Sequence, residues 1–367
     1  MKYRFMVCEL ISGDFLEEYP LTFEGDLSRY LQAYGEGTLY LALFNDKGEQ
    51  TNPNWRQDIL PWRSLIIAVD EQDRIVWNGI PVKRARTGDA RVRYPCRSVE
   101  AYLIRRYVPT LSFRGKDQTS VIFRTLMAVA GDSIGLEYDC PPSGVLRDRD
   151  YADDENARVY DRVNELAALI NGFNWTIDVE WADEAHTRVR KIARTGYPYL
   201  GNRDPNPAHY FEVQQNVHEF TFDEDWSDEA AATHVRGIGE GEGDSKVMSA
   251  PVIDEVREAA GWPRLEVRKS YSNVKEQDTI DSHARAAAAQ LFGGQELVQF
   301  TVTNPNKDAG EDFTSLGDLS LGDTARVLIE SDSTSLDRVW PVVGWALTPG
   351  EGKFKPVLAK IGSGDDG

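Results

Sequence analysis

The residues LIIAVDEQDRIVWNGIPV, positions 65–82, decide the fold of this chain. An apolar run, Leu65–Val69, precedes an acidic turn and a second β-prone segment that contains Asp73-Arg74-Ile75-Val76-Trp77. This order predicts a β-hairpin. The residues VLIESDSTSLDRVWPVVG, positions 327–344, repeat the pattern with Asp337-Arg338-Val339-Trp340. The two stretches predict related hairpins near opposite ends of the chain.

The sequence between the hairpins follows a helical period. Apolar residues at 121–130 predict a short amphipathic helix that stops at Gly131. A second helix is predicted from an N-cap at Asp154 to a C-cap at Gly172. Strict alternation over 173–179 then predicts an amphipathic strand. The fold class is therefore mainly β, with an α+β insert between two related β-domains.

The last third of the chain returns to β character after Phe211. Within it, an alanine-rich helix is predicted over 280–292, capped by Asp278 and Thr279. Such a weakly apolar helix is expected to pack closely against a sheet. The glycine-rich stretch 237–243 is predicted to be a mobile loop, and the acidic tail 362–367 is predicted to be disordered.

Length and composition limit the class of protein. A chain of 367 residues favours two or three domains and can bury a sizeable core without disulfides. Cys8, Cys96 and Cys140 lie far apart without metal-ligand spacing, which favours reduced structural thiols in a protein made in the cytosol. We find no segment of signal-peptide or membrane-span character and expect no membrane insertion.

The formal net charge of −19 is unevenly spread, with most of the excess acid beyond Asn206. Nucleic-acid binding needs clustered Lys and Arg, so this balance disfavours general affinity for DNA. Solubility through self-repulsion explains the charge. An acidic surface past which DNA slides without sticking is the functional alternative.

The order of these elements resembles the tail-hub, or baseplate-hub-like, minor tail proteins of long-tailed bacteriophages, especially those of actinobacterial hosts. The resemblance is carried near the N-terminus by Trp62–Ile67, Ile75–Ile80 and Tyr102–Arg106. Near the C-terminus it is carried by the alanine-rich helix, Leu321–Val327 and the segment from Val343 to Gly350.

This resemblance implies three domains and a tail. They are a barrel-like hub domain at 1–110, an α/β domain at 111–210, a second barrel-like hub domain with the alanine-rich helix at 211–361, and the disordered tail 362–367. In the family the two barrel-like domains of three copies form a pseudo-hexameric ring that closes the tail tube.

The resemblance also implies the partners and the location. The expected partners are two further copies in a homotrimer, the distal tail protein, the tape-measure protein and receptor-binding or fibre proteins. DNA is expected to pass through the lumen without specific binding. The expected location is the tail tip of the virion, after synthesis in the host cytoplasm. Because the chain stops soon after its second β-domain, host recognition is expected on other proteins. No catalytic residue, cofactor or metal is expected.

Several motifs that resemble catalytic or metal sites have the wrong context. Gly131-Asp132-Ser133-Ile134-Gly135 matches a nucleophile elbow, yet a helix precedes the serine where that elbow needs a strand. The five histidines, at positions 186, 209, 218, 234 and 283, lack metal-ligand spacing. The acidic groups at 148–154 and 223–229 do not fit a calcium loop, although a divalent cation that stabilises a loop remains an alternative. We find neither a P-loop nor a dinucleotide fingerprint.

The rival to a structural role is a carbohydrate-active or glycan-binding β-protein. An enzyme of that class would hold two carboxylates about 5–10 Å apart in a cleft. Tryptophans could line the cleft, and the chain has nine, at positions 55, 62, 77, 175, 181, 226, 262, 340 and 345. Tryptophans in β-domains more often fill cores or subunit interfaces.

Overall fold

A computed structural model describes residues 3–45, 47–88, 90–207, 209–213, 215–228, 230–241, 243–271, 274–303, 314–330 and 335–358. The chain forms two compact units. Unit 1 comprises Met1–Glu219 and Phe300–Val357, and unit 2 comprises Phe220–Gln299 and Leu358–Gly367. The predicted disordered tail at 362–367 lies outside the described residues.

The first sheet of unit 1 is built from the N-terminal strands. The strands are β1 Arg4–Glu9, β2 Phe15–Tyr19, β3 Leu21–Glu24, β4 Leu27–Tyr30, β5 Glu36–Ala42, β6 Ser64–Val69, β7 Ile75–Pro81, β8 Ala85–Thr87 and β9 Arg91–Arg97, with the helix α1 Trp55–Asp58. All of these strands except β4 belong to the first sheet, which follows the order β2-β1-β6-β7-β9-β5-β3 with β8 paired to β9. The predicted hairpin is β6–β7, with Ala68 opposite Trp77.

This sheet curls until its two end strands meet. Only Pro20 separates β2 from β3 in the chain, although they lie at opposite ends of the strand order. In a flat sheet the two strands would lie about 29 Å apart, given a spacing of about 4.8 Å between neighbours. The two residues from Tyr19 to Leu21 span at most about 7 Å. The sheet is therefore barrel-like, with Leu39, Leu41 and Tyr94 buried inside it.

The insert follows the first sheet. Its elements are β10 Leu111–Asp117, α2 Arg124–Gly131, β11 Leu136–Asp139, β12 Leu146–Tyr151, α3 Val159–Ala167, β13 Asn174–Trp181 and β14 Val189–Gly196. β11, β14 and β13 form a three-stranded sheet, and β10 pairs with β12. A π-helical segment, Gln118–Phe123, leads directly into α2. One hydrophobic core includes Met6 and Leu65 of the first sheet together with Phe123 and Trp175 of the insert.

The prediction for the second helix of the insert was wrong at both ends. The helix begins at Val159 after Arg158 and ends at Ala167. Asp154 belongs to a separate 3₁₀ turn, Asp153–Glu155, which ends where Asn156 takes a left-handed φ of 50°. The predicted strand at 173–179 is confirmed as β13.

The remaining elements contribute to both units. They are β15 His209–Glu212, β16 Val217–Asp225, β17 His234–Ile238, β18 Val252–Ile253, α4 Glu255–Ala259, β19 Glu266–Ser270, α5 Gln277–Leu291, β20 Gln295–Thr303, β21 Thr324–Glu330, β22 Ser335–Thr348 and β23 Lys353–Leu358. The second sheet follows the order β15-β21-β22-β23-β20-β16, and β4 pairs with β22. β16 and β20 each run across the boundary between the two units in the chain.

The two sheets share one strand order. Without β2 and β8, the order of the first sheet is β1-β6-β7-β9-β5-β3. If the six strands of each sheet are numbered 1 to 6 in chain order, the spatial order is 1-4-5-6-3-2 in both sheets. One direction differs, because β1 is antiparallel to β6 whereas β15 is parallel to β21. The prediction of two related β-domains is confirmed at the level of strand order.

The repeated sequence lies in equivalent hairpins of the two sheets, but its tryptophan occupies a different position in each hairpin. β6–β7 and β21–β22 are the fourth and fifth strands of their sheets. Trp77 lies near the turn of its hairpin, opposite Ala68. Trp340 lies at the far end of its hairpin, opposite Ala325. Both indoles are buried, so apolar burial is the feature that the two share.

The second sheet also brings its end strands together. The Asn216 amide donates to Tyr210 O at 2.8 Å and accepts from Glu212 N at 2.9 Å, and Val213 bridges Val217. These contacts join the end of β15 to the start of β16. β4, which lies between β3 and β5 in the chain, pairs with β22 from Leu27 to Tyr30. In each of the two large sheets, a short connection of the chain thus brings the end strands together.

Unit 2 contains a small sheet covered by a helix. β17 lies between β18 and β19, and α5 packs Ala287, Ala288 and Leu291 against this sheet. The predicted packing of the alanine-rich helix on a sheet is confirmed, although α5 begins at Gln277, before the predicted caps. Gly237 is part of β17, so the predicted loop at 237–243 was too long. A Cβ there would lie 3.0 Å from Ile280 O, so glycine lets the helix approach the strand.

Among the helices of the described residues, none combines the length and the apolar character that crossing a bilayer requires.

Candidate functional site

A polar cleft of unit 1 lies where its three parts meet, and we call it the polar junction. It is formed around Arg29, Asp178, Glu180 and Arg194. Arg29 comes from β4, the two carboxylates from β13, and Arg194 from β14. The turns at 317–323, which lead into β21, close one side.

Two arginines hold the carboxylates of the polar junction. Arg29 pairs with Asp178, donates to Ile177 O at 3.3 Å and lies 5.5 Å from the ring centre of Trp345 on β22. Arg194 binds Asp178 at 2.9 Å and Glu180 at 2.6 Å. Arg29 therefore connects the second sheet, with which β4 pairs, to the insert, and Arg194 links β13 to β14 within the insert.

A buried carboxyl group lies close to this network. Glu100 is fully buried and accepts hydrogen bonds from Ile177 N at 3.1 Å and from the Ser98 hydroxyl at 2.5 Å. Burial raises the pKa of Glu100, and the positive charge of Arg29 opposes this rise. Because the carboxyl is sealed from solvent, it is unavailable to a substrate in the cleft.

The arginine of the repeated motif makes a second connection. Arg74 Nε binds Asp70 at 2.8 Å within the turn of the first hairpin, and its Nη2 donates to Ser315 Oγ at 2.8 Å. Arg74 also pairs with Asp318, which lies in the capped turn Leu316–Asp318. A Cβ on Gly317 would lie 2.4 Å from the guanidinium, so glycine at this position lets Arg74 pack directly against the turn. The sequence predicted the hairpin but not this contact.

The polar junction is built for rigidity and lacks the features of a glycosidase cleft. Asp178 and Glu180 are two residues apart on one strand, so their side chains lie on the same face, about 7 Å from each other. This separation alone would satisfy the distance between the two carboxylates of a glycosidase. A glycosidase also needs a carboxylic acid of raised pKa, and both of these groups are bound by arginine. In the part of the chain that the structure describes, no tryptophan is among the residues that line the cleft.

The serine of the elbow-like motif lies at a helix end. Ser133 follows α2 in a 3₁₀ turn, and Gly135 takes a left-handed φ of 63°. The Ser133 hydroxyl donates to Ala130 O at 3.0 Å and accepts from Arg106 at 2.9 Å. An arginine is a donor and cannot act as the general base that a nucleophilic serine needs.

The histidines that the structure describes are separated in space. The ring of His186 stacks on Trp181 with 4.4 Å between centroids, and that of His283 stacks on Tyr271 at 4.3 Å. His209 lies 3.5 Å from Asp323. The described residues contain no group of three His, Cys, Asp or Glu that could hold a metal ion. The side chain of His218 lies outside them.

The thiols and the first acidic group have structural surroundings. Cys8 and Cys96 are buried, and burial raises the pKa of the Cys8 thiol to about 12. Asp148 accepts from Gly115 N at 2.6 Å, and Asp150 pairs with Arg114 at 2.8 Å across the antiparallel strand pair β10–β12. These carboxylates bind the backbone and a cation of the chain itself.

Comparison with known proteins gives a likeness in structure only. No protein-family model matches the chain, and no curated protein matches it by sequence. A tail protein from Neisseria meningitidis MC58 is 14% identical with a TM-score of 0.62, over 99% of this chain and 98% of that one. The 43 kDa tail protein of prophage MuSo2 from Shewanella oneidensis is 10% identical with a TM-score of 0.64, over 98% of both chains.

A third solved structure extends the comparison to another host. Prophage tail protein gp18 from Listeria monocytogenes EGD-e is 12% identical with a TM-score of 0.52, over 98% of this chain and 95% of that one. The likeness therefore spans both sheets and the insert. The chain has the mainly β, hub-like fold of these phage tail proteins.

Proposed function

We propose that this chain is a structural protein of a bacteriophage tail tip, in which three copies form a ring that closes the tail tube. The observation that carries the proposal is the likeness to two tail proteins, one of them from a prophage, over at least 98% of each chain. Such coverage includes both related sheets, the insert and their connections. A match to one sheet alone would indicate a common module only.

The internal repeat of strand order supports a ring of pseudo-sixfold symmetry. Two sheets of one order in each chain supply six similar blocks when three chains close around an axis. Since short connections of the chain bring the end strands of each large sheet together, we propose that neighbouring copies meet through sheet faces and loops.

The polar junction supports a mechanical role. The pair Arg29–Asp178 joins the second sheet to the insert, and the separate pair Arg74–Asp318 joins the first hairpin to the turn that precedes β21. A tail component must keep these parts in register while neighbouring proteins bind. The distal tail protein, the tape-measure protein and receptor-binding or fibre proteins are the neighbours we propose, with DNA passing without specific contacts.

The enzyme alternative has less support. Its cleft would need an accessible carboxylic acid of raised pKa beside a second carboxylate. In the described residues, the carboxyl with a raised pKa is that of Glu100, which is fully buried. We therefore propose no catalytic activity.

Immunogold electron microscopy of the virions that carry this chain tests its location. Antibody raised against the purified chain should label the end of the tail distal to the head. An antibody against the major capsid protein serves as the control for specific labelling. Label on the head, or unlabelled virions together with free chain in the lysate, would contradict the proposal.

A further inference from the structure

Unit 2 exposes apolar side chains in one short segment. Val256 of α4 is 80% exposed, Trp262 is 42% exposed and Ile253 is 39% exposed. Trp226, from the end of β16, stacks against Trp262 with 4.4 Å between the ring centroids. We call these four residues the tryptophan patch. Contiguous exposed apolar surface of this kind marks interaction sites.

The tryptophan patch is held rigidly by Arg257. Its guanidinium lies 5.4 Å from the Trp226 ring centre and 5.9 Å from that of Trp262. Asp254 binds this guanidinium at 2.7 Å, and Trp262 N donates to Arg257 O at 3.0 Å. A surface that is already ordered loses little conformational entropy when it binds a partner.

Exposed carboxylates flank the residues of the tryptophan patch in the chain. Asp225 and Asp228 lie on either side of Trp226, and Glu255 and Glu258 lie on either side of Val256. The nearby positive charges of Arg257 and Arg264 are already paired with Asp254 and Glu266. The patch therefore combines an aliphatic and aromatic centre with an acidic rim.

We propose that the tryptophan patch binds a basic amphipathic segment of a partner protein, with Lys or Arg beside Leu or Ile. Its apolar side would cover Val256 and Ile253, and its cations would face the carboxylate rim. The same carboxylates repel nucleic-acid phosphates and anionic lipid. A second copy of this chain, with a net charge of −19, is a poorer electrostatic match than a basic segment.

A sugar fits the patch less well than a peptide. Stacking of a sugar ring needs free aromatic faces, and the Arg257 guanidinium lies over both indoles. The most exposed side chain is aliphatic Val256, which offers no hydrogen bond. The inference depends on this surface alone and stands whether or not the chain forms a ring.

Binding of a synthetic amphipathic helix of leucine and lysine to the full chain tests the proposal. Fluorescence anisotropy of the labelled peptide gives the Kd. Val256→Asp should weaken binding by about tenfold or more, because it places a charge at the centre of the contact. Leu146→Asp is the matched control, since Leu146 is 65% exposed in the insert and receives the same charge. This control should bind like the parent chain.

Charge reversal of the rim gives a second, independent result. Glu255→Lys combined with Glu258→Lys should weaken binding of the leucine–lysine peptide and create affinity for a leucine–glutamate peptide. Equal weakening by Val256→Asp and Leu146→Asp would overturn the proposal, since the attraction would then be general. A change in the oligomeric mass of the chain alone on Val256→Asp would reveal a self-contact and overturn it too. Glycan binding by the parent chain that is lost in Val256→Asp would also overturn the proposal.

Discussion

Glu100 shows how one residue can couple stability to pH. Its carboxyl is fully buried, and burial raises its pKa above the ordinary 4.5. The folded chain therefore holds a proton that the unfolded chain releases above that pH. The contribution of this proton to the free energy of unfolding is fully present below pH 4.5, and it is lost as the pH rises through the pKa of Glu100 in the folded chain.

Glu100→Gln should remove this pH dependence, because the amide stays neutral at every pH. Between pH 5 and 8 the free energy of unfolding of the parent should fall relative to the variant, by up to about 1.4 kcal/mol per pH unit. Denaturant unfolding at a series of pH values measures it. Glu36→Gln, at an exposed carboxylate paired with Arg97, is the control and should keep the parent's profile. Parallel profiles for the parent and Glu100→Gln would contradict the account.

Single residues also show where sequence reasoning stops. The apolar run Leu65–Val69 and the buried Trp77 follow from local pattern, and the structure confirms them. The roles of Glu100 and Arg74 do not, since their partners Ile177 and Ser315 come from distant parts of the chain. A carboxylate in an apolar segment, 99–104, was the one available signal for Glu100.

At the scale of elements, β4 joins the two large sheets, because it lies between β3 and β5 in the chain but pairs with β22 of the second sheet. It pairs with β22 from Leu27 to Tyr30, and Gly344 of β22 lies opposite Tyr30. A Cβ on Gly344 would lie 2.4 Å from Tyr30 Cδ1 and 2.7 Å from Arg29 O. Glycine therefore lets the two strands approach closely.

Gly344→Ala should force β4 away from β22. We expect a loss of about 2 kcal/mol in the free energy of unfolding, typical of overpacking at a tight contact. Hydrogen exchange should increase at the amides of 27–30, and denaturant unfolding gives the energy. Unchanged exchange and stability would show that β4 does not depend on this close approach.

The strands and helices themselves were largely predictable from the sequence, whereas the pairing of β4 with the second sheet was not. Alternation and apolar runs predicted β6, β7, β13 and β22 because these strands bury one face or both. The pairing of β4 with the second sheet depends on contacts more than three hundred residues apart in the sequence. The ends of α3 were missed because Asn156 interrupts the helical backbone with a left-handed φ.

At the scale of the whole molecule, the chain is an internally repeated scaffold. The two large sheets have one strand order, and the insert lies between them in the chain. The main segment of unit 2 begins within β16 and ends within β20, the second and third strands of the second sheet in the chain. The first sheet carries only β4 at the equivalent connection. The division at 1–110, 111–210 and 211–361 stays a prediction.

The central claim is that three copies of this scaffold close into a ring. Native mass spectrometry of the purified chain, with electron microscopy of the same sample, tests it most directly. The account predicts a species of three times the mass of the single chain, and class averages with six similar densities around a central lumen. A chain that stays monomeric at high concentration and in the presence of the other tail proteins would contradict it.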